Sequence, residues 1–527
     1  MKKLLLAALL GASLAGLGAP VLAATPKDTL VVAKNIDDMI SLDPAEVYEF
    51  TGGEITTNLY DGLVRYDAED TTKLVGGLAE SWSADPAGRS ITFKLRKGVT
   101  FASGNPVTAD DVVWSYTRVV ALNKPPAFIF TQLGWKPETV ATMVTKVGED
   151  SVRISYDGDY SPDFVLNCLA ARVGMVVDMK TAMAHQKDGD LGNGWLGRNS
   201  AGTGPYMLKL WKANESVVME ANPHYRGTAP TMKRVIYRHV PEPSTQRLML
   251  EKGDVDIARD LGPDQIAGLA GNNKVKVETY PQSAVYFLSL NQKSEKLQNP
   301  AVWEAMRWLI DYQGMVGSFL KGGFEVHQAF WPKGFAGSLD DTPYKLDVDK
   351  AKKILADAGI DHLDVTMDMI NSAPFPDIAQ SIQSTFAKAG IKVSLMPGTG
   401  SQVITRYRAR EHELMLLYWG PDYMDANSNA MAFAYNADNS DDHYASSTTW
   451  RNAWIDKDLS DKTVAALKEP DREKRLQMYK ELQLAVQQHS PIINMFQNTA
   501  QVALASDVKG YVQGVTSDLV FYRMVEK

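Results

Sequence analysis

The stretch LLYWGPDYMDANSNAMAF, from Leu416 to Phe433, decides how the rest of the chain is read. Leu414, Met415, Leu416 and Leu417 form an unbroken apolar run, the pattern of a strand covered on both faces. Gly420 and Pro421 then end the strand. Tyr418, Trp419 and Asp422 are thereby carried at a strand end, the place where open α/β sheets bind ligands. Two aromatics and a carboxylate there read as one wall of a ligand pocket, with Asp422 meeting a positive group on the ligand. A loop with packed aromatics and a solvated Asp fits the local residues equally well.

Outward from this stretch the chain alternates strands with helices. Upstream, Asp349 to Ala358 has Ala351, Ile354, Leu355 and Ala358 on one face and stops at Gly359. An alternating strand follows with Val365, Met367 and Met369, then a helix from Asp377 to Ala389 that stops at Gly390, then the strand IKVSL. This rhythm is α/β. Downstream, Asp471 to His489 reads as a long helix ended by Pro491, and IINMF returns as a strand.

The first half has other textures. TLVVA at Thr29 is a short strand, and SLDPAEVYEFTGGE is a loop broken by Gly52 and Gly53, with a helix start over Ile55–Tyr60. SITFKLRKG alternates like a half-buried strand, and Thr108 caps a helix that carries Asp110 and Asp111 in its first turn. Ser244 to Lys252 is a helix with a Gly253 stop, and Asn299-Pro300 opens another. No repeat or Pro/Ser-rich tether marks a boundary, so the domains are expected to interleave.

At 527 residues the chain exceeds one core. Roughly two to four domains are expected. A net charge of −8 disfavours nucleic-acid binding, since no basic field is present to displace counterions. Lys2 and Lys3, the apolar run Leu4 to Leu17 and Val21-Leu22-Ala23 have the pattern of a secretory signal peptide over residues 1–23. With no cysteine at its end, a lipid anchor is not expected. Export to the periplasm as a soluble chain follows as the expectation. The single cysteine, Cys168, rules out an internal disulfide and reads as a buried apolar residue.

Catalytic and cofactor signatures do not emerge. Eight histidines are scattered without an HExxH or paired metal spacing, and His412 reads as solvated or at a strand edge. Neither a GxSxG elbow nor a Walker A loop is present. Asn436 to Asp442 is acidic but lacks the glycine and terminal Glu of a calcium loop, so a solvated loop is the expectation. Asp422 and Asp425 could mimic a catalytic carboxylate pair, the basis of a rival reading as a secreted hydrolase. The favoured expectation is a binder without catalytic residues, metal or cofactor.

Several motifs in fixed order carry a resemblance that spans nearly the whole chain after residue 23. They are NLYDGLVRYD, LAESWSADPAGRSITFKLRKGVTFASGNPVTADDVVWSY, GTGPYMLKLWKANESVVMEANPHYRG, PEPSTQRLMLEKGDVDIA, VYFLSLNQKSEKLQNPAVWEAMRWLIDY and YKLDVDKAKKILADAGI. The chain resembles the peptide-type (family 5) solute-binding proteins of ABC importers, which include dipeptide- and oligopeptide-binding proteins. The resemblance implies an α/β, two-lobed periplasmic binding protein fold with an additional domain inserted in the first lobe and a ligand cleft between lobes. Lobe one would comprise residues 25–70, 196–282 and 499–527, the extra domain 71–195, and lobe two 283–498. It implies a monomer that delivers a peptide or small-molecule ligand to a membrane permease, with no nucleic-acid partner.

The resemblance also implies site residues. WGPDYMD matches the family's motif, with Asp422 at the ammonium-binding position and Tyr418, Trp419 and Gly420 beside it. Tyr48, Glu49 and Phe50 correspond to a ligand-contacting loop of lobe one. Dipeptide-binding members carry an Arg just before the helix corresponding to Asp377–Ala389, where this chain reads NSAPFPDI. That departure leaves open a longer peptide or a non-peptide solute such as an opine, a metal chelate or a sugar.

Overall fold

The structure, a computed structural model, describes residues 25–47, 49–371, 373–398, 400–421, 423–442, 447–516 and 518–527. The expected signal segment, Tyr48 and Asp422 lie outside them.

Two long antiparallel strands, Val275–Leu290 and Ile492–Ala505, organise the fold. Each passes from one apolar core into another. Val502 and Leu504 pack in a core with Leu30, Val32, Val235 and Tyr522, whereas Val285, Phe287, Ile493 and Phe496 pack in a core with Leu414, Leu416, Ile378 and Val486. One hydrogen-bonded path of strands therefore runs through both halves. On one side of the pair lie Leu414–Trp419, Leu363–Ile370 and Ile391–Gly398; on the other lie Ile257–Ala258, Thr29–Lys34, Arg234–His239, Ser216–Ala221 and Tyr206–Lys212. The ladder between the long strands slips between Pro281 and Val285 and again between Tyr286 and Phe287. The first slip sits where the strands change cores, and a locally broken ladder is where a two-lobed molecule bends at least cost.

The Leu414–Trp419 strand is central, flanked by a parallel and an antiparallel neighbour, and its first four residues are buried. Its continuous apolar run has this cause: both faces are covered. A separate sheet of Ala79–Asp85, Ser90–Leu95, Ser151–Ser155 and Val144–Lys146 packs with the Ala109–Leu122 helix around Phe93, Tyr116, Phe130 and Trp135. Thr108 caps this helix as expected, accepting from the Asp111 amide, while the Asp111 carboxylate accepts from the Thr108 amide. Thr108→Ala is expected to lower stability by about 1 kcal/mol, measured by urea denaturation; an unchanged midpoint would show the cap to be idle.

Two local expectations are corrected. Gly52 and Gly53 do not break a loop; they sit inside the Phe50–Leu59 helix. A Cβ on Gly52 would lie 2.8 Å from Val47, and one on Gly53 would run into the Arg172 guanidinium. The glycines are there for close approach, which outweighs their poor helix propensity. His412 is neither solvated nor at an open edge. It is 3% exposed, 2.9 Å from the Asn452 amide oxygen and edge-on to Tyr407. Burial pulls its imidazole down to about 4, so the ring is neutral. The Asn436–Asp442 loop is largely exposed to solvent, as expected, and is anchored at a few points. Arg410 donates to the Asn439 carbonyl and pairs with Asp441 at 2.8 Å, and Asn436 donates to the Trp454 carbonyl. Cys168 is buried, as its apolar neighbours imply.

Candidate functional site

A cavity of about 370 Å³ lies between the two halves. Its wall on the lobe-two side is the end of the Leu414–Trp419 strand with the loop that follows: Tyr418, Gly420, Pro421, Tyr423 and Met424. Strand alternation explains the division of labour here. Tyr418 is 47% exposed and turns to the cavity, whereas Trp419 does not line it and packs on Phe433 and under the Arg451 guanidinium. Gly420 is exposed, and a Cβ placed on it would meet nothing within 4 Å. Backbone groups there can therefore be approached closely.

Phe50, the first residue of its helix, meets the same cavity and is 68% exposed. Glu49 is the residue before that helix and is not part of the wall. Of the seven residues singled out by sequence, Phe50, Tyr418 and Gly420 thus share one cavity. Trp419 and Glu49 stand beside it, and Tyr48 and Asp422 are outside the described residues.

The cleft face that approaches the Phe375–Ala387 helix is aromatic. Tyr418 stacks on Tyr286 at 5.5 Å and lies 6.1 Å from Phe375, which opens that helix where dipeptide binders are expected to carry Arg. The cationic groups of the cavity come from elsewhere: Arg65, Arg172 and Arg523. Sequence reading missed all three. Each stands in an ordinary strand or loop context, with no local signal that separates it from a surface arginine.

Past Tyr423 the halves touch. The Tyr423 ring is edge-on to Phe164 at 5.6 Å, inside the core of the smaller sheet's domain. Asp425 accepts from Arg475 through both carboxylate oxygens, at 2.6 and 2.7 Å, and from Asn167 Nδ2 at 3.0 Å. Asn167 Oδ1 in turn accepts from the Tyr66 hydroxyl at 2.8 Å. Arg475 also faces Asp163 at 3.3 Å. Burial alone would lower the Arg475 pKa, but Asp425 outweighs it and holds the guanidinium charged. Asp425 further accepts from the Asn427 amide and caps the Ala426–Phe433 helix. Its carboxylate oxygens are spent on these partners, so it is a cross-cleft tie rather than a free acid.

A geometry of two lobes joined by paired long strands, with an interlobe cavity, points to a ligand receptor, and the comparisons name its kind. The model of bacterial extracellular solute-binding proteins, family 5, middle region, matches residues 73–441. The chain belongs to this family. Over 95% of its length it is 30% identical to the probable D,D-dipeptide-binding periplasmic protein DdpA of Escherichia coli K12, covering 94% of that protein. It is 25% identical to a dipeptide-binding protein of the same organism, over 86% of each chain. Among solved structures, HbpA2 from Haemophilus parasuis superposes with a TM-score of 0.82 at 22% identity, covering 94% of this chain and 99% of that one. That likeness speaks for the fold: two-lobed and α/β, with the ligand cleft between the lobes.

Proposed function

We propose that this family member is a periplasmic receptor that encloses a short peptide, or a related small amino-bearing solute, and hands it to the permease of an ABC importer. The observation that carries the reading is the interlobe cavity on which Phe50, Tyr418 and Gly420 converge from opposite halves. Its size suits a compact ligand, since small-molecule sites run to about 300–1,000 Å³. The named specificity of the E. coli relative for a D,D-dipeptide supports a dipeptide-sized solute.

In this reading residues 25–70, 196–282 and 499–527 move as one lobe with the domain of 71–195, against residues 283–498. Ligand binding favours the closed arrangement, and the permease recognises it. The mature chain begins after residue 23 and acts as a monomer without catalysis. The pairing of Asp425 with Arg475 supports the last point, since a hydrolase would need that carboxylate free beside Asp422. The alternative is a non-peptide solute, such as an opine, a metal chelate or a sugar.

Asp422 is the proposed partner of the ligand's ammonium. A charge-assisted hydrogen bond contributes about 1.5–3 kcal/mol. Asp422→Asn is therefore expected to weaken binding about ten- to a hundredfold while the ligand-free fold stays intact. Thermal shifts with di- to hexapeptides, their N-acetylated forms, opines, sugars and nickel chelates test both points. A ligand at a hundred times its dissociation constant adds about 2.7 kcal/mol. Free peptides should shift the midpoint and acetylated ones should not. Silence from all peptides, with a shift from another class, would move the reading to the non-peptide alternative.

A further inference from the structure

Most charged groups on the cavity wall are already matched. Arg172 pairs with Asp518 at 2.8 Å. Asp61 accepts from the Thr203 hydroxyl at 3.1 Å and faces Arg226 at 4.0 Å. Arg65 and Arg523 are different. Both line the cavity, and the Nε atom of each is buried without a hydrogen-bond partner. Among the described residues neither guanidinium has a carboxylate within ion-pair distance.

A guanidinium cannot shed its proton to escape this situation, so an unmatched buried N–H is a standing cost. The planar fork is relieved best by an oxyanion that accepts two parallel hydrogen bonds. The chain also places these cations deliberately on one side. Arg65 belongs to the Val64–Tyr66 strand, and Arg523 follows the Val520–Phe521 strand next to the lobe-one core residue Tyr522. Both therefore stand across the cavity from the strand end that carries Tyr418. The opposing face is aromatic, with Phe375 and Tyr286 behind Tyr418.

We propose that Arg65 and Arg523 form the cationic seat, on the lobe-one wall, for a carboxylate of the ligand. This rests on the reading of the interlobe cavity as the ligand site. It deepens that reading by making the ligand zwitterionic, with its ammonium end on lobe two and its carboxylate end on lobe one. Such a ligand bridges the lobes by its two charges, so both ends are satisfied only on closure. A solute with an amino group but no acid group, such as a polyamine, is then a poor ligand.

The test uses isothermal titration of the mature protein with D-alanyl-D-alanine, L-alanyl-L-alanine and the C-terminal amide of each. Wild type is compared with Arg65→Gln, Arg523→Gln and the double variant. Amidation should weaken binding to wild type about ten- to a hundredfold. The double variant should bind the free acid as weakly as wild type binds the amide, and its affinity for the amide should be unchanged. That last result also shows that the variant is folded. An amide that binds wild type as tightly as the acid overturns the carboxylate seat while the peptide reading stands. So does an equal loss for acid and amide in a variant whose melting midpoint is unchanged. If no alanyl-alanine form binds, the peptide reading fails first, and the seat is read with succinate and citrate in thermal shifts. Stabilisation lost in the double variant keeps the seat for a non-peptide acid; no stabilisation of wild type overturns it.

Discussion

Asp425→Ala is expected to destabilise the protein by about 3–5 kcal/mol. Asp425 and Arg475 are both 1% exposed at the side chain, and their contact is bidentate. Removing the carboxylate leaves a buried guanidinium facing only Asp163 at 3.3 Å, the Tyr479 hydroxyl at 3.1 Å and the Ala466 carbonyl at 3.1 Å. The cost is that of a buried guanidinium left with one longer, single-oxygen ion pair in place of a bidentate one, not merely of a lost contact. The Ala426–Phe433 helix also loses its cap, a further contribution of about 1 kcal/mol. Urea denaturation of the ligand-free protein measures the sum. The double variant Asp425→Ala, Arg475→Met removes both charges, and it should recover a large part of the loss, because a buried pair replaced by apolar groups is often nearly neutral. A single variant within 1 kcal/mol of wild type would mean that water reaches Arg475. Asn167 also donates to Asp425 across the cleft, so Asp425→Ala should in addition lower ligand affinity by loosening closure.

Glu54 governs the second large effect, which depends on pH. It is fully buried in the Phe50–Leu59 helix. Burial by itself would raise its pKa. Arg259 at 2.6 Å and Lys34 at 3.2 Å outweigh that, and with the hydroxyls of Tyr522 and Tyr237 they hold the carboxyl at about 2, against 4.5 for a free Glu. A carboxyl with a depressed folded pKa contributes stability that is fully present above the unfolded value. That contribution is lost as pH falls from about 4.5 towards 2. A shift of this size corresponds to about 3 kcal/mol. Glu54→Gln should therefore be less stable than wild type by about that amount at pH 7, and the two should converge near pH 2. Denaturation midpoints at a series of pH values check the convergence, and a constant gap across the series would refute the linkage. His327 and His412, held by burial near 4, lose stability in a higher window, between about 6.5 and 4. That loss is common to both proteins and cancels in the difference.

Much of the fold was legible locally. The Asp471 cap and the Arg472–His489 helix, the Gly253 and Gly359 stops in left-handed backbone, and the buried Leu414–Trp419 strand all lie where pattern and turn chemistry put them. The double glycine of the Phe50–Leu59 helix was misread because the close approaches that favour it, to Val47 at Gly52 and to the remote Arg172 and Asp518 at Gly53, are tertiary contacts. The Gly400–Arg408 and Ala426–Phe433 helices were not read as elements at all. The first is short and largely polar, and its apolar stripe is only Val403, Ile404 and Tyr407. The second follows a loop whose Gly and Pro suggested irregular chain, and it is capped by an Asp that had been set aside as a possible acid.

The sequence by itself determined most of the elements, the interleaved α/β architecture and the family, because periodicity, caps and ordered motifs act over a few residues at a time. It also singled out the strand end at Tyr418 to Gly420, since a buried run broken by Gly-Pro is a local signal. Only the tertiary structure decided which charges share the cavity. Whether an arginine is matched depends on carboxylates remote in sequence: Arg172 meets Asp518, and Arg475 meets Asp425, while among the described residues Arg65 and Arg523 meet none. Hydrogen bonds need atoms about 3 Å apart, and charges in salt are screened beyond about 10 Å, so a charge map of the cleft exists only once the lobes are folded against one another.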